Sequence, residues 1–272
     1  MHEKEFQSQN LKKLAKEIAK NSRVSSLEMI SAAKTSHIGA CLSVIDILAT
    51  LFTLKLNIPN YRNDNIILSK GHAAAALYSV LDSMKMLEFN LDDYCKNGSQ
   101  IYGHINHHAS VEIPLSTGSL GHGLPFGLGI ALASKKKGSK SRTFVVVSDG
   151  ELNEGTTWES ALVAGHHKLN NLTVIIDRNR IQSLGFTEEI ITLDPIAPKW
   201  KAFGWEAVEI DGHDIGEIIE TLEISYEKPL CIIANTIKGK GVSFMENTLE
   251  WHYQSPSPEQ LEAATQEVTG NH

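Results

Sequence analysis

The chain has 272 residues, 42% hydrophobic and 21% charged, which is enough for one large domain or two small ones around a sizeable core. Its 32 acidic residues against 25 Lys and Arg give a formal charge of −7, which excludes the basic footprint of a general nucleic-acid-binding protein. Three cysteines, none in CxxC spacing, argue against a disulfide framework and favour a reducing, cytoplasmic compartment. No signal peptide is visible, and an apolar run such as 144–147 is too short to span a membrane.

The first third of the chain is dominated by helical periodicity. Apolar residues recur at helical spacing over residues 8–35, and the pattern over residues 43–56 predicts a second helix that ends before Pro59. The short apolar run at 66–68 predicts a strand. The Ala-rich stretch that follows, up to residue 81, predicts a buried helix.

From the centre onward, predicted strands and helices alternate. The predicted strands are 143–147, 173–176, 207–210 and 230–234, and the predicted helices are 126–136, 157–169 and 215–225. This alternation predicts an α/β fold with a mostly parallel sheet and helices on both faces. We assign residues 1–255 to a single domain and residues 256–272 to a C-terminal tail with a short helix.

The strongest local signal is the acidic motif SDGELNEG, residues 148–155. Asp149 comes just past one predicted strand and Asn179 just past the next, so a carboxylate and an amide oxygen would meet at one edge of the sheet. Such hard oxygen ligands suit Mg²⁺ or Ca²⁺, and Gly150 would let a phosphorylated ligand approach the backbone. On these residues alone, the simpler explanation is that Asp149 and Asn179 only cap helices.

A second signal is the glycine-rich segment STGSLGHGL, residues 116–124. An apolar Leu120 among glycines suggests backbone that lies against a flat or phosphorylated ligand, although a tight turn before a closely packed helix explains it equally well. No Gly-Lys-Ser/Thr follows, so the segment is not a P-loop. The pair His107-His108 has no second HxxxH-like partner that would support a zinc site.

Motifs along nearly the whole chain resemble one enzyme family. SDGELNEG followed by DRN at 177–179 resembles the thiamine diphosphate signature, with Ser148 in place of its first glycine. More specifically, the chain resembles the N-terminal, diphosphate-binding subunit of split transketolases. The other matching segments, in order, are LSKGHAAAALYSVL (68–81), YGHIN (102–106), LSTGSLGHGL (115–124), TEEI (187–190), KWKAFGW (199–205), EIDGHD (209–214), TIKGKGVSFMEN (236–247) and WH (251–252).

The resemblance implies that thiamine diphosphate binds through a divalent cation, Mg²⁺ or alternatively Ca²⁺ or Mn²⁺. By resemblance, side-chain oxygens of Asp149 and Asn179 and the carbonyl of Ile181 would hold the cation. The N–H of Gly150 would contact the diphosphate. Lys238 lies in a segment that leads to the same region, where it would either touch phosphate or remain solvated.

The resemblance also implies where the rest of the cofactor and the substrate lie. Gly118 and Leu120 would border the cofactor, with Leu120 near its rings. The family's usual SGHPG reads SHIG here, because Ile38 replaces the proline. The segment HINHHAS, residues 104–110, is unusual beyond its first histidine, so substrate contacts there are expected to differ.

Catalytic roles follow from the same resemblance. His37, His72 and His104 match family histidines around the thiazolium carbon and the donor sugar, and His252 matches one that reaches the diphosphate. Glu154 matches a glutamate buried between two active sites, where it joins a proton network at the cofactor; alternatively it is a first-turn acid that the helix dipole stabilises. Ketol transfer needs such groups to move protons on and off sugar oxygens.

A complete transketolase also needs a pyrimidine-binding domain, and no motif here supplies one. We therefore expect a subunit that pairs with a separate C-terminal subunit, in an α₂β₂ assembly with no nucleic-acid or membrane partner. It would move a two-carbon ketol unit from a ketose to an aldose, acting on sugars or sugar phosphates. The alternatives are a subunit of a 2-oxo acid synthase or decarboxylase, a non-catalytic half-subunit that binds only cofactor and partner, and a specialised transketolase of an unusual sugar pathway.

Overall fold

A computed structural model describes residues 2–270, with side chains from Ser8 onward. Within that range the strands form one sheet in which every pair is parallel, in the order β1-β2-β3-β5-β4. The strands are β1 Asn65–Leu68, β2 Thr143–Ser148, β3 Leu172–Arg178, β4 Glu206–Asp211 and β5 Leu230–Asn235. The predicted α/β class is confirmed, and the sheet over the described residues is wholly rather than mostly parallel.

Helices cover both faces of this sheet. They are α1 His2–Ala33, α2 Ile38–Asn57, α3 Ala74–Ser83, α4 Gly123–Lys136, α5 Gly155–His166, α6 Thr187–Ile190, α7 Ile196–Ala202, α8 Ile215–Glu223 and α9 Pro258–Gly270. Alternate residues of β2 divide between two cores, because successive strand side chains point to opposite faces. Phe144 and Val146 pack in the core that α1, α2, α3, α8 and α9 share. Val145 and Val147 pack in the core that α4, α5 and α7 share.

The strand register places polar residues of the predicted site, and others beside them, at one edge of the sheet. Ser148 at the end of β2 pairs with Asp177 near the end of β3, and Arg178 pairs with Asn235 at the end of β5. Asp149 and Asn179 each follow their strand directly. The loops that carry them therefore leave the sheet side by side, where open α/β sheets bind their ligands.

The longest apolar helix, α2, forms the centre of the larger core. By length and composition alone it is the one helix of the described residues that could cross a membrane, and 94% of its most apolar 18-residue window is buried inside the fold. Helix α2, and not the short apolar run at 144–147, is therefore the segment that comes nearest to a membrane span in length and composition. Side chains from Ile38 to Leu54 are all buried, so α2 is packed as a core helix.

Several element boundaries differ from the predicted ones. Helix α2 begins at Ile38, five residues before the predicted start at 43, because His37 takes a left-handed φ of 77° and its carbonyl accepts from the N–H groups of Ala40 and Cys41. Helix α5 ends at His166 instead of 169, since Lys168 also has a positive φ of 47°. Helix α9 packs against α1, with Ala264 and Val268 buried in the larger core. The division at residues 255 and 256 stays a prediction.

Gly127 and Gly129, both in α4, provide a test of how tightly this helix packs on the sheet. A Cβ at Gly127 would lie 2.5 Å from Cγ2 of Val145, whereas a Cβ at Gly129 would have no neighbour within 4 Å. We expect Gly127→Ala to lower the free energy of unfolding by about 1–2 kcal/mol through overpacking. Gly129→Ala should raise it by about 0.5–1 kcal/mol through helix propensity. Urea unfolding of both variants measures the two shifts, and equal shifts would contradict this packing.

Candidate active site

Histidines from four separate segments converge at the carboxyl edge of the sheet. The ring centroid of His37 lies 5.3 Å from that of His72, 6.0 Å from that of His104 and 5.0 Å from that of His252. The centroids of His72 and His252 are 6.2 Å apart. The four histidines predicted as catalytic thus form one cluster, although they are far apart in sequence.

Close backbone approach holds these segments together. The N–H of His37 donates to the carbonyl of His252 at 3.0 Å. Gly71, which precedes His72, comes so close to the glycine-rich segment that a Cβ there would lie 2.2 Å from the carbonyl oxygen of Thr117. A Cβ on Gly118 would lie 3.6 Å from Cδ2 of His104. Position 71 therefore accepts only glycine in this arrangement, and the glycine-rich segment borders the histidine cluster.

Burial keeps three of these imidazoles neutral at neutral pH. Burial, together with the nearby His104, lowers the pKa of His37 to about 4. Burial and the Lys238 ammonium lower the pKa of His252 to about 3. Burial and the Lys70 ammonium also take the pKa of His72 well below its usual value. Neutral rings can both donate and accept a proton, which suits the movement of protons between sugar oxygens.

Asp149 is a buried carboxylate held only by backbone N–H groups. Its side-chain oxygens accept from Gly150 N at 2.7 Å and from Arg180 N at 2.6 Å. Within residues 8–270, no Lys, Arg or His side chain forms an ion pair with it. Burial, with the neighbouring charge of Asp177, raises its pKa to about 6. An unpaired buried carboxylate of this kind would be stabilised by a cation.

The loop after β3 adds two more oxygens beside Asp149. Asn179 is buried, its Nδ2 donates to Ser43 Oγ at 3.3 Å, and its Oδ1 accepts from Ile181 N at 3.2 Å. With the Ile181 carbonyl, the three predicted metal residues present one carboxylate, one amide oxygen and one carbonyl. In the described part of the chain, no group of three His, Cys, Asp or Glu converges as a metal site. The donor set fits a hard, oxygen-preferring cation such as Mg²⁺.

Lys238 carries a positive charge into this same region. It is 1% exposed, and its Nζ lies 3.1 Å from the Ile181 carbonyl oxygen and 2.8 Å from Nδ1 of His252. Burial and the neighbouring Lys70 lower its pKa to about 8. The alternative that Lys238 is a solvated surface lysine is therefore wrong. Its ammonium lies beside the predicted metal and phosphate site.

The buried ion pair between Lys70 and Asp177 is not among the predicted site residues. Both side chains are fully buried. The Lys70 Nζ contacts the Asp177 carboxylate and also donates to the carbonyl of Ala40 at 3.0 Å. Ser43 Oγ donates to the same carboxylate at 2.7 Å, and Thr236 Oγ1 donates to it as well. Burial alone would raise the pKa of Asp177, but the Lys70 ammonium together with the hydrogen bonds from Lys70, Ser43 and Thr236 outweighs burial and lowers that pKa.

A second residue that the sequence motifs did not single out is Glu151, within the acidic motif. It is fully buried, it accepts from Gly121 N at 2.8 Å and it bonds the hydroxyl of Ser69, so it joins the glycine-rich segment to the end of β1. Burial raises its pKa.

Glu154, the predicted buried glutamate, is exposed in this chain, directly before α5. The sequence held one signal for these missed residues, their position within two residues of a predicted site residue: Lys70 is near His72, Asp177 near Asn179 and Glu151 beside Gly150.

The glycine-rich segment leads into an exposed apolar surface. Gly118 is exposed and Leu120 is half-buried, so both can contact a ligand. On α4 and α5, Phe126, Leu162 and Val163 are 39%, 56% and 40% exposed. These three apolar side chains are exposed on two helices that pack against each other.

The unusual HINHHAS segment exposes its three histidines and buries its other four residues. The rings of His107 and His108 lie 3.9 Å apart between centroids, and Nδ1 of His107 lies 2.7 Å from Ser116 Oγ. Ser116 opens the glycine-rich segment. His107 therefore attaches the segment to the glycine-rich wall of the site, whereas His104, its first residue, lies in the histidine cluster.

A family model described as the transketolase, thiamine diphosphate binding domain, matches residues 14–270. The chain belongs to this transketolase family. This placement and the solved transketolases with the same architecture confirm the resemblance and the fold class expected from the sequence.

Curated relatives and solved structures agree with that membership. An apulose-4-phosphate transketolase subunit of Actinobacillus succinogenes is 42% identical over 240 residues, which is 85% of this chain and 87% of that protein. A 6-deoxy-6-sulfo-D-fructose transketolase subunit of Clostridium sp. is 36% identical over 251 residues, which is 89% of this chain and 91% of that protein. The crystal structure of Campylobacter jejuni transketolase superposes with a TM-score of 0.85 and 29% identity, over 94% of this chain but 43% of that one.

The buried ion pair leads to a stability prediction. Lys70→Met would leave the Asp177 carboxylate buried without its counter-charge, and we expect the free energy of unfolding to fall by about 3–5 kcal/mol. The exposed pair Lys96 and Asp93, at 3.6 Å, provides the control: Lys96→Met should change stability by less than about 1 kcal/mol. Urea unfolding of both variants tests this, and a small loss for Lys70→Met would show that Asp177 needs no such partner.

Proposed function

We propose that this chain is the diphosphate-binding subunit of a two-subunit transketolase, which transfers a two-carbon ketol unit from a ketose to an aldose. The observation that carries the proposal is the convergence of His37, His72, His104 and His252 beside the oxygen donors of Asp149, Asn179 and Ile181. Relatives of nearly the same length are named as transketolase subunits, which supports the same division here.

Thiamine diphosphate, when bound, supplies the carbanion chemistry of ketol transfer. In the proposed site, Asp149, Asn179 and the Ile181 carbonyl hold Mg²⁺, with Ca²⁺ or Mn²⁺ as alternatives. Lys238 faces the diphosphate as a second cation. The N–H of Gly150 already donates to Asp149, so a diphosphate oxygen would share that donor. Gly118 and Leu120 border the cofactor where the chain is open enough to admit it.

In the proposed reaction the histidines transfer protons to and from the sugar oxygens. His37, His72 and His104 accept the donor's hydroxyl proton and return one to the acceptor's oxygen, because an imidazole can both accept and donate a proton. His252 is hydrogen-bonded to Lys238 and so lies between the substrate and the diphosphate. Glu154 is exposed at the surface that would meet a second chain, where it would join a proton network at the cofactor.

A separate pyrimidine-binding subunit would complete the site. The chain spans 43% of the Campylobacter jejuni transketolase, and relatives of which it covers 87% and 91% are named as transketolase subunits, which supports a site shared with another polypeptide. The exposed apolar residues of α4 and α5 support assembly with further chains. We propose an α₂β₂ arrangement with the cofactor between subunits.

We also propose a cytoplasmic location, since the three free cysteines, two of them buried, are in keeping with a reducing compartment.

The substrate is proposed to be a ketose that carries an anionic group. One relative is named for a phosphorylated ketose and another for a sulfonated one. These names favour a specialised pathway of carbohydrate metabolism. They also favour ketol transfer over the 2-oxo acid chemistry that the sequence left open, and the intact histidine cluster argues against a non-catalytic half-subunit.

The metal role of Asp149 can be tested directly. Because Asp149 supplies the only carboxylate of the proposed donor set, we expect Asp149→Ala to weaken Mg²⁺-dependent thiamine diphosphate binding beyond the roughly 10–100-fold that loss of an outer-shell partner causes. The exposed Asp92→Ala is the control for the change in charge and should bind as wild type does. Calorimetry on the assembled subunits measures both, and unchanged affinity in Asp149→Ala would rule out this role.

The need for a partner can be tested with the purified chain. We expect no ketol transfer from the chain alone with thiamine diphosphate, Mg²⁺, a panel of phosphorylated and sulfonated ketose donors and a range of aldose acceptors. Turnover should appear when a pyrimidine-binding subunit from the same source is added, and that partner should be inactive by itself. Robust turnover by this chain alone would overturn the two-subunit proposal.

A further inference from the structure

Arg23, Asp46 and His213 form a buried polar cluster to which neither the resemblance nor the proposed mechanism gives a role, although His213 lies within the EIDGHD segment. The Arg23 guanidinium binds the Asp46 carboxylate through both terminal nitrogens, at 3.1 and 2.5 Å. Nδ1 of His213 lies 2.7 Å from the same carboxylate. The three side chains are between 9% and 12% exposed. The cluster joins α1, α2 and the loop between β4 and α8.

The other side of this cluster binds the backbone of the loop after β5. Nε2 of His213 accepts from the N–H of Ile237 at 2.8 Å, and Arg23 Nε donates to the carbonyl of Lys240 at 3.3 Å. Because Nε2 accepts a hydrogen bond from a backbone N–H, the ring hydrogen is on Nδ1, and this Nδ1–H donates a hydrogen bond to Asp46. One carboxylate thus orients both side chains that hold residues 237–240.

That loop carries Lys238 into the candidate active site. The N–H of Gly239 donates to the carbonyl of Gly39, and the carbonyl of Lys238 accepts from Asn247 N at 2.9 Å. The Lys238 side chain has a flexible stem, and the backbone on either side sets the point from which that stem reaches Ile181 and His252. Among these backbone groups, the part-buried N–H of Ile237 has the His213 ring as its acceptor, and such a donor is costly to leave unpaired.

We propose that Asp46 and His213 are positioning residues, which fix the Ile237 N–H and thereby aim the Lys238 ammonium at the diphosphate-binding site. The proposal rests on the proposed function, because it requires that thiamine diphosphate binds where Lys238 points. Arg23 completes the cluster by neutralising Asp46 and holding Lys240. Asp46 and His213 touch neither cofactor nor substrate and act through the loop.

Two substitutions of His213 separate the two hydrogen bonds of its ring. In His213→Asn, the amide Nδ2 lies near the position of the histidine Nδ1 and can still donate to Asp46, but nothing accepts from Ile237. In His213→Gln, the amide oxygen lies near the position of Nε2 and can still accept from Ile237. Affinity for thiamine diphosphate with Mg²⁺ is measured by calorimetry on the complex with the pyrimidine-binding subunit. We expect about a tenfold loss for His213→Asn and less than about threefold for His213→Gln.

A double-mutant cycle with Lys238→Met distinguishes positioning from general structural support. If His213 acts through Lys238, then His213→Asn weakens cofactor binding in the wild-type background and has no further effect in the Lys238→Met background. An equal loss in both backgrounds would overturn the proposal. If His213→Asn does not fold, Asp46→Asn replaces it in the same cycle with the same expected outcomes.

A second readout uses the chain without cofactor. Amide hydrogen exchange at residues 236–241 should accelerate by at least about tenfold in His213→Asn and stay unchanged in Lys238→Met, because only the former frees the Ile237 N–H. Unchanged exchange in His213→Asn would also overturn the proposal. If the wild-type complex bound no thiamine diphosphate, the proposed function would fail instead, and the exchange experiment would still decide whether His213 holds the loop.

Discussion

The arrangement of the site depends on the buried ion pair between Lys70 and Asp177. It links the loop after β1 to the end of β3, with the pair of charges fully withdrawn from water. The Ser43 hydroxyl donates to the same carboxylate oxygen as Lys70, and the Thr236 hydroxyl donates to the other, which extends the link to α2 and to the loop after β5. Since separating the pair would leave a bare charge in the core, these four segments are held in one arrangement. Residues 72, 179 and 238 are held by the same contacts.

Charge and burial together define what the site can bind. Lys70 and Lys238 bring positive charge to a region that excludes water, and this combination depresses the pKa of the neighbouring His37, His72 and His252. The same burial raises the pKa of Asp149, whose carboxylate lacks a side-chain counter-ion among the described residues. A polyanion bound together with a divalent cation would complement both features. The proposed cofactor complex therefore matches the electrostatics as well as the donor atoms.

One side of the site remains open in the single chain. Gly118 and Glu154 are exposed, and so are apolar residues of α4 and α5. Exposure of these apolar atoms to water is unfavourable, and contact with another protein surface would remove them from water. The proposed pyrimidine-binding partner, together with a second copy of this chain, accounts for this surface and for the burial that the family resemblance implies for Glu154. In the proposed assembly, the open side would contact other subunits, whereas the tightly packed interior holds the site residues.

The sequence by itself determined the α/β class and the adjacency of Asp149 and Asn179, because β-branched runs form buried strands and parallel strands end at one edge. Its motifs also named the four histidines, although their convergence depends on packing between segments far apart in the chain. Only the tertiary structure decided that α2 begins at Ile38, that Glu151 rather than Glu154 is buried in the chain, and that Lys238 points inward. These outcomes depend on which polar group finds a partner inside the fold, and residue spacing carries no information about distant partners.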